Sequence, residues 1–322
     1  MNATVTNVID ECEMDLVALV LNTLNILLGI PGNCIVIWVA GFKLKASVFN
    51  MWLINLAVAD LTFCFTRIFS LIKVLLSDQW LFGPFMCKLS GFFKYSNMFC
   101  AVFMLAVISL DRAMCIWFPV FSRNYRTLRA SRVVVVSTWG LVMLVSVPFF
   151  VYRRFCHCPQ NLDRCGSGDV LDEQIRTALY LIRFLCGFLL PFLVILVCYT
   201  LAGVGLLRTR LPGKSRNLRV LALLVSAFFL CWAPYHILLL IRMVNSDSQW
   251  VIKLLPAAKG LAFFKTCLNP ILYFFIGLKM NGRKSLTDLY KSALTDDIDQ
   301  EVGQLKMSSR EPVTDLIRER SS

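Results

Sequence analysis

Seven runs of apolar residues divide this chain, at about 17–42, 50–76, 84–117, 132–152, 175–207, 218–245 and 251–276. A helix of about 20 apolar residues crosses the hydrocarbon core of a bilayer, and every run reaches that length. Inside lipid each backbone N–H and C=O needs a partner within the chain, so such runs fold as helices. Composition agrees. Of 322 residues, 57% are hydrophobic and only 16% charged, and the mean hydropathy is +0.67. A soluble domain carries about 25% charge. The expected fold class is all-α, a seven-transmembrane helix bundle.

The net charge of +13 would suit a nucleic-acid partner, but its distribution argues against one. Lys43 and Lys45, then Arg123, Arg126 and Arg129, then Arg208, Arg210, Lys214 and Arg216, sit in alternate short loops, and Lys279, Arg283 and Lys284 follow the last run. Uniformly basic short loops lie on the cytoplasmic side. The other loops, 77–83, 153–174 and 246–250, mix signs. Seven crossings then place the N-terminus outside and the C-terminus inside a multi-pass plasma-membrane protein, with membrane lipids as neighbours and no nucleic acid.

Four regions follow. Residues 1–16 form a polar, acidic extracellular N-terminus, in which Asn2-Ala3-Thr4 is a glycosylation sequon. Residues 17–276 form the bundle; no basic segment or cleavage site marks the first run as a signal peptide, so it reads as a retained span. Residues 277–291 read as a membrane-surface helix, with Leu278, Leu286, Leu289 and Tyr290 opposed to Arg283, Lys284 and Lys291. Residues 292–322 read as a disordered cytoplasmic tail, with Ser292, Thr295, Ser308, Ser309 and Thr314 as candidate phosphate acceptors.

Of 13 cysteines, eight (Cys34, Cys64, Cys100, Cys115, Cys186, Cys198, Cys231 and Cys267) fall inside apolar runs and behave as small hydrophobes. Cys12, Cys87, Cys156, Cys158 and Cys165 fall on the outer side, where disulfides persist. No zinc-type spacing with histidine occurs, and no metal site is expected. The only histidines are His157 and His236, and no Ser-His-Asp set is present, so the chain does not read as an enzyme.

The third run, Cys87 to Pro119, carries Lys94 in its first half and Asp111-Arg112 at its far end. Lys94 and Arg112 are 18 residues apart, about five turns and roughly 27 Å along a helix, and so share one face. Charges inside a span are costly and mark function. This helix therefore faces something on both sides of the membrane.

Each run carries a marker that a plain apolar helix does not need. They are Asn33 in GNCIVIW, Asp60 in NLAVADL, Asp111-Arg112, Trp139, Pro191 in FLLPF, CWAP from Cys231 to Pro234, and NPILY from Asn269 to Tyr273. Seven such markers in order resemble a rhodopsin-like (class A) G-protein-coupled receptor, and the resemblance covers residues 17 to 291. WLFGPFMCKL, AVISLDRAMCIWFPVFSRNYRT, RFLCGFLLP, LCWAPYH and the segment around TCLNPILYFFIG resemble its chemoattractant branch. That branch includes the formyl-peptide, chemerin, anaphylatoxin and prostaglandin D2 chemoattractant receptors.

The resemblance implies roles. Prolines 191, 234 and 270 interrupt their helices and make hinges. Trp232 is a lever at the sixth-span kink, and Val102, Pro191 and Phe228 form the packing switch beneath it. Arg112, freed from Asp111, would reach the G protein, with Tyr199 and Tyr273 closing on it beside Asn269 and Pro270. The sixth span opens with basic residues and no acid, so Asp111 is expected to hold Arg112 alone. The family ties the position of Cys87 to the second outer loop. Among the loop cysteines Cys165 is favoured, leaving Cys12 to pair with Cys156 or Cys158.

Departures from the pattern are equally informative. Ala113 follows Asp111-Arg112 where tyrosine is usual, and no cysteine follows Cys267 to carry a palmitoyl anchor. Lys265, one turn before Asn269, stands where relatives carry an uncharged polar residue of a sodium site built on the second-span Asp, here Asp60. Asn97 still lines that site, but Ala101 replaces a hydroxyl. An ammonium there should pair with Asp60 and displace the ion, so no cofactor is expected and the bound sodium is replaced by Lys265. A retinal lysine is excluded by resemblance, because Phe263 holds that place.

Cations dominate the outward halves of the spans: Arg67, Lys73, Lys94, Arg183, His236, Arg242 and Lys259, with Arg153, Arg154 and Arg164 in the loop above. Lys94 stands where amine receptors carry an Asp, which argues against a cationic amine. Tyr95 stands near the acidic residue of formyl-peptide receptors, which puts a formyl-peptide ligand in doubt. Phe92, Tyr95, Phe99, Phe184, Tyr235, Phe263 and Phe264 are the expected apolar walls. The expected ligand is anionic: a carboxylate lipid of eicosanoid type, or a peptide with a C-terminal carboxylate. The resemblance implies a heterotrimeric G protein of the inhibitory class and arrestin as partners. The competing readings are a non-signalling decoy receptor, prompted by Ala113, and a transporter, which would need internal repeats that are not found.

Overall fold

The computed structural model describes residues 16–17, 19–76, 79–158, 162–166, 172–209, 215–245, 248–281 and 285–294. The sequon at Asn2, the partner of Cys12, Arg210, Lys214, Arg283, Lys284 and the tail from 295 lie outside them, as do the side chains of Cys158, Arg208, Arg216 and Lys279. The spans are α1 (Leu19–Lys43), α2 (Val48–Leu75), α3 (Gly83–Trp117) and, after the short loop helix α4 (Pro119–Tyr125), α5 (Leu128–Val151). A two-stranded antiparallel hairpin follows, β1 (Arg154–Cys158) and β2 (Leu162–Gly166), with Phe155 opposite Cys165. The fifth span is α6 (Glu173–Phe184), which runs through a π-helical turn, Leu185–Leu189, into α7 (Leu190–Thr209). The sixth is α8 (Ser215–Val244), the seventh α9 (Gln249–Asn281), and the surface helix is α10 (Leu286–Leu294).

Among the described residues six spans are long and apolar enough to cross a membrane by length and composition. The seventh carries Lys253, Lys259 and Lys265 and packs mainly on the sixth. Local chemistry sets the boundaries. The Ser47 hydroxyl accepts from the Asn50 amide at 3.1 Å and opens α2; the Thr127 hydroxyl accepts from the Ala130 amide at 3.2 Å and opens α5. The fourth span therefore begins at Leu128, four residues ahead of its apolar run. The seventh runs on to Asn281, beyond the run ending at 276. The surface helix begins at Leu286 and not at 277, because residues 277–281 continue the seventh span. Gly83 opens α3 at φ +71, a conformation that disfavours any other residue. The widened turn Leu185–Leu189 precedes Pro191, whose ring crowds the preceding turn and which offers no N–H.

The third span is the axis of the bundle, in contact with the second, fourth, fifth and sixth. Its Met98, Phe99, Cys100, Val102, Met104 and Ile108 are fully buried. On the perimeter the pattern inverts: Val133, Val136 and Leu144 of the fourth span and Leu193 and Val197 of the fifth are exposed. Those side chains face lipid. Association of spans gains little from leaving lipid, so packing and interhelical hydrogen bonds of about 0.6 kcal/mol each hold the bundle. Trp139 Nε1 donates to Asn55 Oδ1 at 3.0 Å, tying the fourth span to the second. Asn33 Nδ2 donates to the Thr266 carbonyl at 3.2 Å, and Thr266 Oγ1 to Asn25 Oδ1 at 2.8 Å, tying the first to the seventh. At the inner end the Tyr290 hydroxyl donates to the Pro270 carbonyl at 3.0 Å, fastening the surface helix to the seventh span.

At the outer end the Cys87–Cys165 disulfide joins the start of the third span to β2, with Cα atoms 5.7 Å apart. The Trp80 amide donates to the Asp163 carbonyl at 2.8 Å and braces the same strand. Cys156 is an exposed free thiol.

Candidate functional site

A cavity of about 230 Å³ opens beneath the hairpin. Six cations line it: Lys94, Arg153, Arg176, Arg183, Arg242 and Lys259. Among the described residues no carboxylate lines it, and none of the six forms an ion pair. Its walls are Tyr95, Phe149, Tyr152, Tyr180 and Tyr235, with Leu179, Leu239 and Leu255.

Arg183 is the buried centre of this arrangement, 5% exposed. Its Nη1 donates to the Tyr235 hydroxyl at 2.8 Å and its Nη2 to the Tyr95 hydroxyl at 2.7 Å. The guanidinium carbon lies 4.7 Å from the Tyr95 ring centroid and 5.4 Å from that of Tyr180, and such cation–π contacts hold a charge without neutralising it. Each phenol that accepts from Arg183 keeps its own hydrogen to donate onward. Arg153 enters from above. Burial holds its guanidinium below the usual value, and Gly91 makes room for it, since a Cβ there would stand 3.0 Å from Arg153 Cδ.

Of the ligand-site residues expected from sequence, Lys94, Tyr95, Arg183, Tyr235, Arg242 and Lys259 line the cavity. Four others do not, and each has a reason. Arg67 lies beneath it, between the Phe63 and Phe263 rings at 4.5 and 4.7 Å. Phe263 is not itself a lining residue; its ring carries that guanidinium together with the Lys94 and Lys259 ammonium groups. Lys73 Nζ reaches the Cys165 carbonyl at 3.4 Å and supports the hairpin. His236 is packed among Phe184, Phe188, Trp232 and Tyr235. Phe92 turns to Phe93 and Phe150, and Phe99 to Phe103 and Phe149, so neither is a wall. Arg176, Phe149 and Tyr180 were not anticipated. Arg176 lies seven residues before Arg183, two turns up the same face, and that spacing was the available signal.

Below the cavity Trp232 and Phe228 stack with centroids 6.0 Å apart, in a core shared with Val102, and Pro191 is buried. Deeper still, the carboxylate of Asp60 is fully enclosed. Asn97 Nδ2 donates to Oδ1 at 2.9 Å, Asn269 Nδ2 to Oδ2 at 2.7 Å, and Lys265 Nζ stands 3.3 Å from both oxygens. At the inner end Arg112, 1% exposed, donates to Asp111 Oδ2 at 2.7 Å and lies 4.9 Å from the Phe49 ring. Asp111 holds Arg112, as the lack of an acid on the sixth span had suggested, and it also serves a second arginine. Arg126 Nε donates to its Oδ1 at 2.8 Å and Nη2 to its Oδ2 at 3.2 Å, because α4 folds the second inner loop back under the third span. The Tyr273 ring is buried at the inner end of the seventh span, and the Tyr199 hydroxyl is buried with no hydrogen-bond partner among the described residues.

Residues 32–273 match the family described as 7 transmembrane receptor (rhodopsin family). The chain belongs to that family. Formyl peptide receptor 2 of Mus musculus is 35% identical over 94% of this chain and 91% of the relative. The C3a anaphylatoxin chemotactic receptor of Danio rerio is 36% identical over 92% and 82%, and the C5a anaphylatoxin chemotactic receptor 1 of Oncorhynchus mykiss 36% over 87% and 84%. This rhodopsin-family receptor is thus of the chemoattractant type, a multi-pass plasma-membrane protein and not an enzyme, with an extracellular ligand and a heterotrimeric G protein as partners.

Where the resemblance implied a sodium site, the structure pairs Asp60 with the Lys265 ammonium. Two amide N–H donors and an ammonium converge on the carboxylate, so its charge is already compensated from within the chain. Among the described residues no cluster of three metal-ligating side chains occurs.

Proposed function

We propose that the protein is an agonist-activated receptor for an extracellular ligand with a free carboxylate or comparable anionic head, signalling through inhibitory-class G proteins and recruiting arrestin to its tail. The observation that carries this reading is Arg183, buried, held by two phenols and surrounded by five further cations with no acid among the described residues. An anion entering such a cavity gains charge-assisted hydrogen bonds and relieves like-charge repulsion. A cavity of about 230 Å³ is smaller than the roughly 300–1,000 Å³ that holds a whole drug-sized ligand. It takes a head, and the body lies in the mouth beneath the hairpin. The names of the relatives favour a peptide body; an acidic lipid is the second arm of the test.

Activation would follow from a difference in affinity between two bundle states. Arg183 on the fifth span contacts Tyr235 on the sixth, three residues above Trp232, so an anion held there acts on the helix whose inner end must swing outward. Guanine-nucleotide exchange on inhibitory-class G protein, screened with acidic lipids and carboxylate-ended chemoattractant peptides, tests the reading. Arg183→Gln and Lys94→Ala should each abolish the response to the active ligand. A full response in both variants, or a best response to a cationic amine, would reject it. Binding without exchange would mark a decoy.

A further inference from the structure

The cations at the outer end fall into two groups, and together they exceed what one carboxylate neutralises. The first is Arg183 with its phenols. The second gathers on the Phe263 ring: Arg67 Cζ at 4.7 Å from its centroid, Lys94 Nζ at 5.4 Å and Lys259 Nζ at 5.9 Å. Tyr95 joins the groups, with Arg183 at 4.7 Å and Lys94 at 4.8 Å from the same ring. Buried donors are left over in both: the Nε of Arg67, Arg153 and Arg183 has no partner among the described residues. Arg67 and Arg183 are 6% and 5% exposed, so water does little to screen them.

Resting on the anionic-ligand reading above, we infer that the head recognised here carries two negative charges close together, one for Arg183 and its phenols and one for the Lys94–Lys259 pair. Two chemistries supply that: a phosphate monoester, which holds between one and two charges at neutral pH, or an acidic C-terminal residue, whose side-chain and terminal carboxylates sit on one carbon skeleton. A monoanion leaves the like charges gathered on the Phe263 ring uncompensated, and such charges repel. The second charge removes that repulsion and adds its own charge-assisted bonds.

The test uses the purified full-length receptor and probes paired to differ by one charge. In the peptide arm, two otherwise identical apolar hexapeptides end in Asp or Asn; in the lipid arm, a fatty acid is set against the alkyl phosphate of equal length. Affinity is read by titration calorimetry and by thermal stabilisation. In at least one arm the dianion should bind about tenfold or more tightly than its monoanionic partner. Lys259→Gln, at an exposed position where folding is not at risk, and Lys94→Gln should each shrink that ratio severalfold, while Arg183→Gln weakens both members of a pair. Equal binding of both members in both arms overturns the inference and leaves the anionic reading standing. So does a ratio that survives both lysine variants. Failure of every anionic probe to bind would overturn the anionic reading itself.

Discussion

Lys265 Nζ stands 3.3 Å from each oxygen of Asp60, with the lysine side chain 1% exposed and the aspartate fully buried. Neither charge has water to turn to. Removing the ammonium by Lys265→Ala leaves a buried carboxylate served only by two amides, at a cost of about 3–5 kcal/mol. The expected readout is a lower melting temperature of the purified receptor. Agonist affinity in the unaltered protein should not change when sodium is exchanged for potassium at constant ionic strength. In Lys265→Asn a sodium-dependent rise in melting temperature should appear, and its absence would show that the pair is not what excludes the ion.

Asp111 serves two arginines, and the variants should move basal activity in opposite directions. Asp111→Asn releases Arg112 and raises basal nucleotide exchange severalfold. Arg126→Gln removes a like charge that competes with Arg112 for the same carboxylate, so it tightens the remaining pair and lowers basal exchange. A rise in both would mean that Arg126 pins the inner loop and does not compete.

Gly91 is open space filled by a neighbour. A methyl group there meets the aliphatic part of Arg153 at 3.0 Å, and a flexible side chain yields before a helix does. Gly91→Ala should therefore leave surface expression unchanged, displace Arg153 and lower affinity for the anionic agonist. Gly91→Ala combined with Arg153→Ala should be no weaker than Arg153→Ala alone.

The two phenols on Arg183 give a fourth handle. Hydrogen bonds to charged groups contribute about 1.5–3 kcal/mol each. Tyr95→Phe and Tyr235→Phe each remove an acceptor from a guanidinium with no carboxylate partner, and each should lower agonist affinity about tenfold or more. Basal exchange should stay the same, which separates a ligand role from a packing role.

The spans and their order were legible because lipid imposes one rule on the whole chain, that every crossing is a helix of sufficient apolar length. The Cys87–Cys165 bridge was legible by resemblance. Arg183 and Lys94 were legible because a charge in a span must face inward. Depth and azimuth were harder. Arg67 and His236 also face inward, yet ring stacks hold them away from the cavity, and no periodicity distinguishes a cation on Phe263 from one in open space. Arg176 and Tyr180 escaped notice because α6 begins polar and its inward face is set by packing. Arg126 escaped because its partner is reached through α4, a seven-residue helix too short to leave a pattern.

The bond from Tyr290 to the Pro270 carbonyl has a mechanical outcome. Proline at that point makes the seventh helix a hinge, and a hinge whose lower leaf is riveted to a flange, the helix Leu286–Leu294, cannot pivot by itself. Bending there drags the flange with it. Gate and flange thus behave as one crank: whatever reads the position of the flange is reading the tilt of the seventh helix.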